Sequence, residues 1–493
     1  PHSSGSLSKD SVMSLQRSAA LNAVRDGVRI QILARRMRDR EEQDDGAPSL
    51  IRSYSADAAE LGAALITESE GLQSREHARL TKAEEVRVRA TFSRASFCPQ
   101  ESTVDGASPR LETETLAEVA DRMRQQSVLE EDLAAIWGLV SDSYISFLFV
   151  FVPLSIASAL LGWGEVPTFV LSFLALIPLA TTLGDITEDL ALRLGNVAGG
   201  LLNATFGNVT EVVLSLAALE KGLFDVVADS LLGSILSNLL LVLGTCFLVG
   251  GFYYKTQNFN AYSNRACSSL LFLSCLGIAL PTSAASMVID PLAREDWILQ
   301  LSRATSVVLV LVYLVYLYFT LVSHREMFED VQDEDEIPEV PIISLAGGIT
   351  MLAVISLFVA LHSEFLTRSI EATSEQTGVS TSFLAMIVLP IAGNACEHIT
   401  AVMVAAKNKM GLSLGIAIGS SLQIALFAIP LAVLVGWATG QEMSLSYSPF
   451  SVTALVLAVV HANLVTSDGS SHYLMGVQLC AVYCLIAMVY WFV

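Results

Sequence analysis

Charge is scarce in most of this chain. Of its 493 residues only 16% are Asp, Glu, Lys or Arg, and they are unevenly placed: residues 1–140 hold 18 of the 28 basic and 23 of the 49 acidic residues. That leaves 10 basic and 26 acidic side chains in the last 350 or so positions, which carry −16 of the formal −21. So acidic a balance argues against nucleic acid as a partner and favours a cation. Paired cysteine spacing is missing too. Cys98, Cys246, Cys267, Cys275, Cys396, Cys480 and Cys484 show no zinc-site pattern, and all but Cys98 lie in apolar stretches where a small packed side chain suffices. Long apolar runs are absent from residues 1–140, which read as polar, largely disordered and cytosolic. No secretory signal is visible, and because the chain opens PHSSGS without Met, its true start is expected to lie elsewhere.

What is present beyond residue 140 is a succession of apolar segments long enough to cross a bilayer, near 144–163, 166–183, 197–219, 229–252, 266–288, 303–323, 341–361, 381–406, 411–436, 449–466 and 472–493. The expected fold is an all-α polytopic membrane protein with eleven transmembrane helices, arranged as one plus two inverted five-helix repeats behind a polar N-terminal extension. Its parts are the N-terminal region 1–140, a first helix at 141–163, a first repeat at 164–324, an acidic cytosolic linker at 325–340 and a second repeat at 341–493. A cytosolic N-terminus puts Arg193, Lys255, Arg265, Arg325, Lys407 and Lys409 on the cytosolic side, against Lys221, Arg294, Arg303 and Arg368 on the other, a modest positive-inside bias.

Two apolar segments carry a carboxylate, which is costly in a bilayer and functional by default. GNVTE ends at Glu211 and GNACE at Glu397; 22 residues beyond each begins a Gly-Ser pair, Gly233-Ser234 and Gly419-Ser420. The motifs fall in the third and eighth segments. That odd offset gives the two halves opposite orientations in the membrane, and inverted repeats place a binding site at their interface near the midplane. Asn208 and Asn394, three residues before each glutamate, share its helical face. Gly207 and Gly393 permit close approach or a local break. Two carboxylates and two amide oxygens make a hard-oxygen metal set, Glu211, Glu397, Asn208 and Asn394, suited to Ca2+. Two carboxylates side by side in low dielectric cannot both be comfortably ionised, so protons and a divalent cation compete for one site, and alternating access around it is antiport. The bland reading of the same residues is an inter-helix hydrogen-bonded network.

The stretches NATFGNVTE, LLGSILSNLLLVLG, LPIAGNACEH and IAIGSSLQIALF resemble the signature repeats of the cation/proton exchangers, the vacuolar Ca2+/H+ antiporter family of the Ca2+/cation antiporter superfamily. The similarity runs from about Val166 to Val493. It implies no enzyme and no cofactor, only transported ions: cytosolic Ca2+ exchanged for H+ of an acidic compartment, most simply a vacuole, with Mn2+ as an alternative cargo, the lipid bilayer as surroundings and a homo-oligomer left open. It also implies that Glu188 in GDITED and Glu364 in LHSEF lie on the ion or proton path. His398, after Glu397, either shares the proton or hydrogen-bonds a neighbouring helix. Ser234, Ser420 and Gln423 either complete the coordination or serve as small polar contacts between helices. The acids Glu326, Glu329, Asp330, Asp333, Glu334, Asp335, Glu336 and Glu339 form either a solvated linker or a cytosolic helix that gathers cation. A Na+-driven exchanger and a passive cation channel are the rival functions. An intramembrane aspartyl protease, suggested by Asp185 in LGD, lacks a second aspartate in a comparable helix.

Overall fold

The computed structural model describes residues 132–133, 135–138, 145–284, 287–288, 290–327 and 341–492. The rest of the expected N-terminal region, and Glu329, Asp330, Asp333, Glu334, Asp335, Glu336 and Glu339 of the acidic run, lie outside the described residues. Glu326 falls in a single helical turn, Arg325–Met327.

The described membrane region is helical, and each of the eleven expected segments holds one helix or one bent pair of helices. In chain order they are α1 (Ser146–Leu161), α2 (Glu165–Leu194), α3 (Asn196–Phe206), α4 (Val209–Glu220), α5 (Phe224–Tyr253), α6 (Ala261–Ala284), α7 (Arg294–Ser323), α8 (Leu345–Thr377), α9 (Thr381–Gly393), α10 (Ala395–Ala406), α11 (Met410–Thr439), α12 (Pro449–Thr466) and α13 (Tyr473–Phe492). Eight are long and apolar enough to cross a membrane unbroken, and the bent pairs α3–α4 and α9–α10 bring the number to ten when each pair is counted as one span. The helix of the first expected segment, α1, has only the length for roughly 24 Å at 1.5 Å per residue, short of the roughly 30 Å of a hydrocarbon core. The sequence-based boundaries are narrow: α2 and α8 continue well past residues 183 and 361, and GDITED and HSEFLTRS still bury a mixed face, Ile186, Thr187 and Asp189 in the one and Ser363, Leu366 and Thr367 in the other.

The two halves interlock. The first helices of the repeats, α2 and α8, make the longest helix–helix contact among the described residues. Their register is pinned where the chain re-enters the membrane region. The N–H groups of Ile342 and Ile343 donate to the Asp189 carboxylate at 2.6 and 3.2 Å. Ser344, whose hydroxyl caps α8 at the Gly347 N–H, donates its own N–H to Asp132 at 2.7 Å. On the same side a two-residue bridge joins β1 (Gln257–Asn258) antiparallel to β2 (Ser470–Ser471), tying the connection after α5 to that before α13. The fully buried core runs along α5 and α11 (Leu232, Ile235, Leu236, Leu240, Leu422, Ile424 and Leu426), whereas α7 and α13 leave Leu311, Val315, Leu485 and Phe492 outward, as lipid-facing helices do.

Candidate functional site

Both signature motifs sit at helix breaks. The α3–α4 pair bends by 40° and the α9–α10 pair by 57°. Gly207 and Gly393 are poor helix formers, and in each motif the following asparagine leaves helical geometry: Asn208 has φ −113° and ψ 26°, Asn394 φ −83° and ψ 16°. Each glutamate is then the third residue of the new half-helix, Glu211 in α4 and Glu397 in α10. That position sets a carboxylate beside the positive end of a helix dipole.

The asparagines stand where a helix cap belongs, yet neither side chain caps its own helix. Each reaches into the other repeat instead. Asn208 donates its amide N–H to Oε1 of Gln423 on α11. Asn394 donates to the backbone carbonyl of Ser234 on α5 at 3.2 Å. With its N–H spent on the partner repeat, each amide keeps its oxygen free: Oδ1 of Asn208 and of Asn394 are buried without a hydrogen-bonding partner.

The glutamates are in the same condition. Glu211 is 4% exposed and Glu397 8% exposed; both carboxylate oxygens of Glu211 and Oε2 of Glu397 are buried and unpartnered. The two are near enough for the charge of Glu211 to act on Glu397. Gly393 makes part of this approach possible, since a Cβ there would sit 3.1 Å from Glu211 Oε1. Five buried oxygens from both repeats thus lack partners, each costing several kcal/mol if nothing occupied or protonated it. Two carboxylates and two amide oxygens match the chemistry of a hard cation carried as cargo. Among the described residues no group of three or more His, Cys, Asp or Glu side chains is placed to hold a metal ion.

The helices opposite the motifs answer one another as well. The Gly-Ser pairs occupy matching places in α5 and α11, and about one turn beyond each the backbone widens into a π-helical turn, Ser237–Val242 and Ile424–Ala428. Ser234 and Ser420 are buried; Ser234 borders a small cavity of about 10 Å³ beside Glu211. The same space is lined by Ser215, one turn after Glu211, whose buried hydroxyl is unpartnered, and by Ser230. The i, i+4 spacing from Glu211 was the signal for Ser215 in the sequence. Asn238, one turn after Ser234, is fully buried with both amide atoms unpartnered.

The remaining expected residues lie around this cluster rather than in it. His398 faces α5, with Nε2 2.9 Å from the Thr245 hydroxyl. Glu188 is exposed on α2 beside Asp185, and the charges of both act on Cys396, next to Glu397. Gly184 leaves the room that Cys396 occupies. Asp185 was singled out in the sequence only for a protease reading; its proximity to the second motif depends on how α2 crosses α10, which spacing does not give. Glu364 is half-exposed on α8 and pairs with Lys221 at 2.9 Å, and the same ammonium donates to the Glu364 carbonyl and to Thr367.

Comparison with known proteins agrees with this geometry. The sodium/calcium exchanger protein family matches residues 165–322 and 347–492. A Ca2+/H+ antiporter of Synechocystis sp. is 44% identical over 70% of this chain and 96% of that protein. A vacuolar calcium ion transporter of Schizosaccharomyces pombe is 37% identical over 72% of this chain and 86% of that protein. The solved structure of native YfkE superposes with a TM-score of 0.61 at 33% identity, covering 70% of this chain and all of that one. With its two half-helix motifs facing across the repeat interface and matches that span both repeats, the chain belongs to the sodium/calcium exchanger family and, within it, to the cation/proton exchangers.

Proposed function

We propose that this chain is a secondary antiporter that moves Ca2+ out of the cytosol into an acidic compartment in exchange for H+. The observation that carries the reading is the facing pair Glu211 and Glu397, each on a half-helix N-terminus, with buried oxygens that no other side chain satisfies. Two ionised carboxylates neutralise one divalent cation. When the cation leaves, protons remove the charge that would otherwise stay buried, so the site is occupied by Ca2+ or by H+ but not by both. The names of the Synechocystis and fission-yeast relatives support both cargo ions and an endomembrane such as the vacuole. The loop charges support a cytosolic N-terminus and a cytosolic 325–340 linker.

In this reading the breaks in α3–α4 and α9–α10 give the repeats a pivot, and the α5 and α11 halves on either side of the Gly-Ser pairs line alternative ways out. A ligand shifts such an equilibrium only by binding the two states differently. Protonation on the acidic side does this by cancelling the attraction for Ca2+. The test is Ca2+ uptake into acid-loaded vesicles bearing the protein, with and without a protonophore. Uptake that collapses with the pH gradient supports the reading. Uptake indifferent to pH that follows a Na+ gradient, or equilibrates without any gradient, replaces it with the Na+-driven exchanger or the channel.

A further inference from the structure

The repeats open cavities at opposite ends of the bundle, and the two mouths differ in chemistry. The offset that carries Glu211 onto Glu397 and Gly233 onto Gly419 is 186 residues, and it carries Asp225 onto Gly411 and Asp229 onto Gly415. At the end where the 325–327 turn lies, the cavity is lined by Gly411, Gly415 and Gly419 of α11, with Asn260, Asn264 and Tyr316. At the other end, two adjoining cavities share Asp225 and Asp229 of α5 with Thr381 and Ser382 of α9. One of them adds Glu371, the other Tyr447. Among their described lining residues there is no Lys, Arg or His.

Asp225 and Asp229 are four apart on one helical face, where like charges repel. Asp229 is half-buried and hydrogen-bonded to the Ser382 side chain, with Asp225 close enough for its charge to act on it. The second observation is Tyr447. It lies in the connection between α11 and α12, is 6% exposed, and its hydroxyl is buried with no partner although it lines the cavity that holds Asp229. A tyrosine hydroxyl has lone pairs to offer a cation or its water. Ser230, the residue after Asp229, borders the space beside Glu211, so α5 runs from this mouth to the central site within one and a half turns.

We propose that Asp225, Asp229, Ser382 and the Tyr447 hydroxyl form a second cation site, at the mouth opposite the 325–327 turn, that holds a partly hydrated divalent cation. The two carboxylates bind the ion directly, and the two hydroxyls hold it or its remaining water. On the antiport reading, on which only this role rests, the site takes the ion released from Glu211 and Glu397. Among its described lining residues the opposite mouth, with glycines at the matching positions, has no such pair.

The test is equilibrium binding of Tb3+, a Ca2+ substitute whose emission is excited through a nearby tyrosine, to the full chain in detergent. The Glu211→Gln background weakens the central site. Binding that Ca2+ competes away is expected to persist there, to weaken about tenfold in Asp229→Asn and to recover in Asp229→Glu. Tyr447→Phe is expected to lower the tyrosine-excited emission in the parent and to have no further effect once Asp229→Asn is present. If Asp229→Asn does not elute as a folded protein, Asp225→Asn, at an exposed position, carries the same expectation. Unchanged affinity and unchanged emission in Asp229→Asn or Asp225→Asn would overturn the site. Because no gradient is involved, intact Tb3+ binding with proton-independent transport would instead count against antiport, whereas normal proton coupling without this binding would count against the site alone.

Discussion

Asn394 of the second repeat gives its amide N–H to the carbonyl of Ser234 in the first, at 3.2 Å. This bond and its counterpart from Asn208 to Gln423 do two things together: they tie the repeats to one another across the site and leave both amide oxygens buried without a hydrogen-bonding partner. The pair is symmetric in purpose but not in partner, since one acceptor is backbone and the other is a side chain. That asymmetry is open to a direct test. Asn208→Ala and Gln423→Ala should be non-additive in thermal stability, with a coupling of about 1 kcal/mol, while Gln423→Ala combined with Asn394→Ala should add. Additive behaviour of Asn208 with Gln423 would mean the bond contributes nothing.

Glu211→Gln and Glu397→Gln should each reduce Ca2+ transport by about two orders of magnitude or more, since either change leaves one negative charge to neutralise a divalent ion in a buried site. Both variants should insert and elute as wild type does, because an amide is no more costly to bury than a carboxylate. Near wild-type transport by either would show that the two acids do not share one ion.

The Gly-Ser pairs look alike in the sequence and should not behave alike. A Cβ on Gly233 would run into the carbonyl of Met386 and lie 2.8 Å from Pro390 Cγ, whereas one on Gly419 meets nothing within 4 Å. Gly233→Ala should therefore destabilise the folded protein by about 1–3 kcal/mol through overpacking of α5 on α9, and Gly419→Ala should leave its melting temperature nearly unchanged. Equal shifts in the two melting curves would contradict the packing described.

This contrast marks how far the sequence could be read. The apolar runs marked where the helices lie, and the repeated GNxxE with its Gly-Ser at a fixed distance marked the two bent pairs and their buried glutamates, because those depend on local spacing. The helix breaks were suggested by Gly207 and Gly393 but not their angles. What spacing could not supply was the third dimension. That the asparagines would reach across rather than cap, that Asp185 would lie by Cys396, that His398 would turn to Thr245 and that Glu364 would meet Lys221 all follow from how α2, α5, α8 and α10 cross one another. Segment ends were also underestimated, because apolar counting stops at the first charges although the helices of α2 and α8 do not.

Lys221 and Glu364 form a half-exposed pair, and such pairs contribute about 0–1 kcal/mol. Glu364→Gln should lower stability by no more than that and should leave proton-coupled Ca2+ uptake measurable, with Lys221→Met giving a similar partial change. Complete loss of uptake in a normally inserted Glu364→Gln would make this carboxylate an obligatory step on the ion path rather than a contact beside it.

The central claim is that one buried site binds Ca2+ or H+ and never both. It is tested most directly by adding Ca2+ to the purified chain in weakly buffered solution and measuring protons released per Ca2+ bound. The account predicts that Ca2+ binding expels protons from the wild-type protein, and that the release is lost in the Glu211→Gln, Glu397→Gln double variant. Full Ca2+ occupancy of the wild-type protein with no proton release, across the pH range in which it transports, would contradict it.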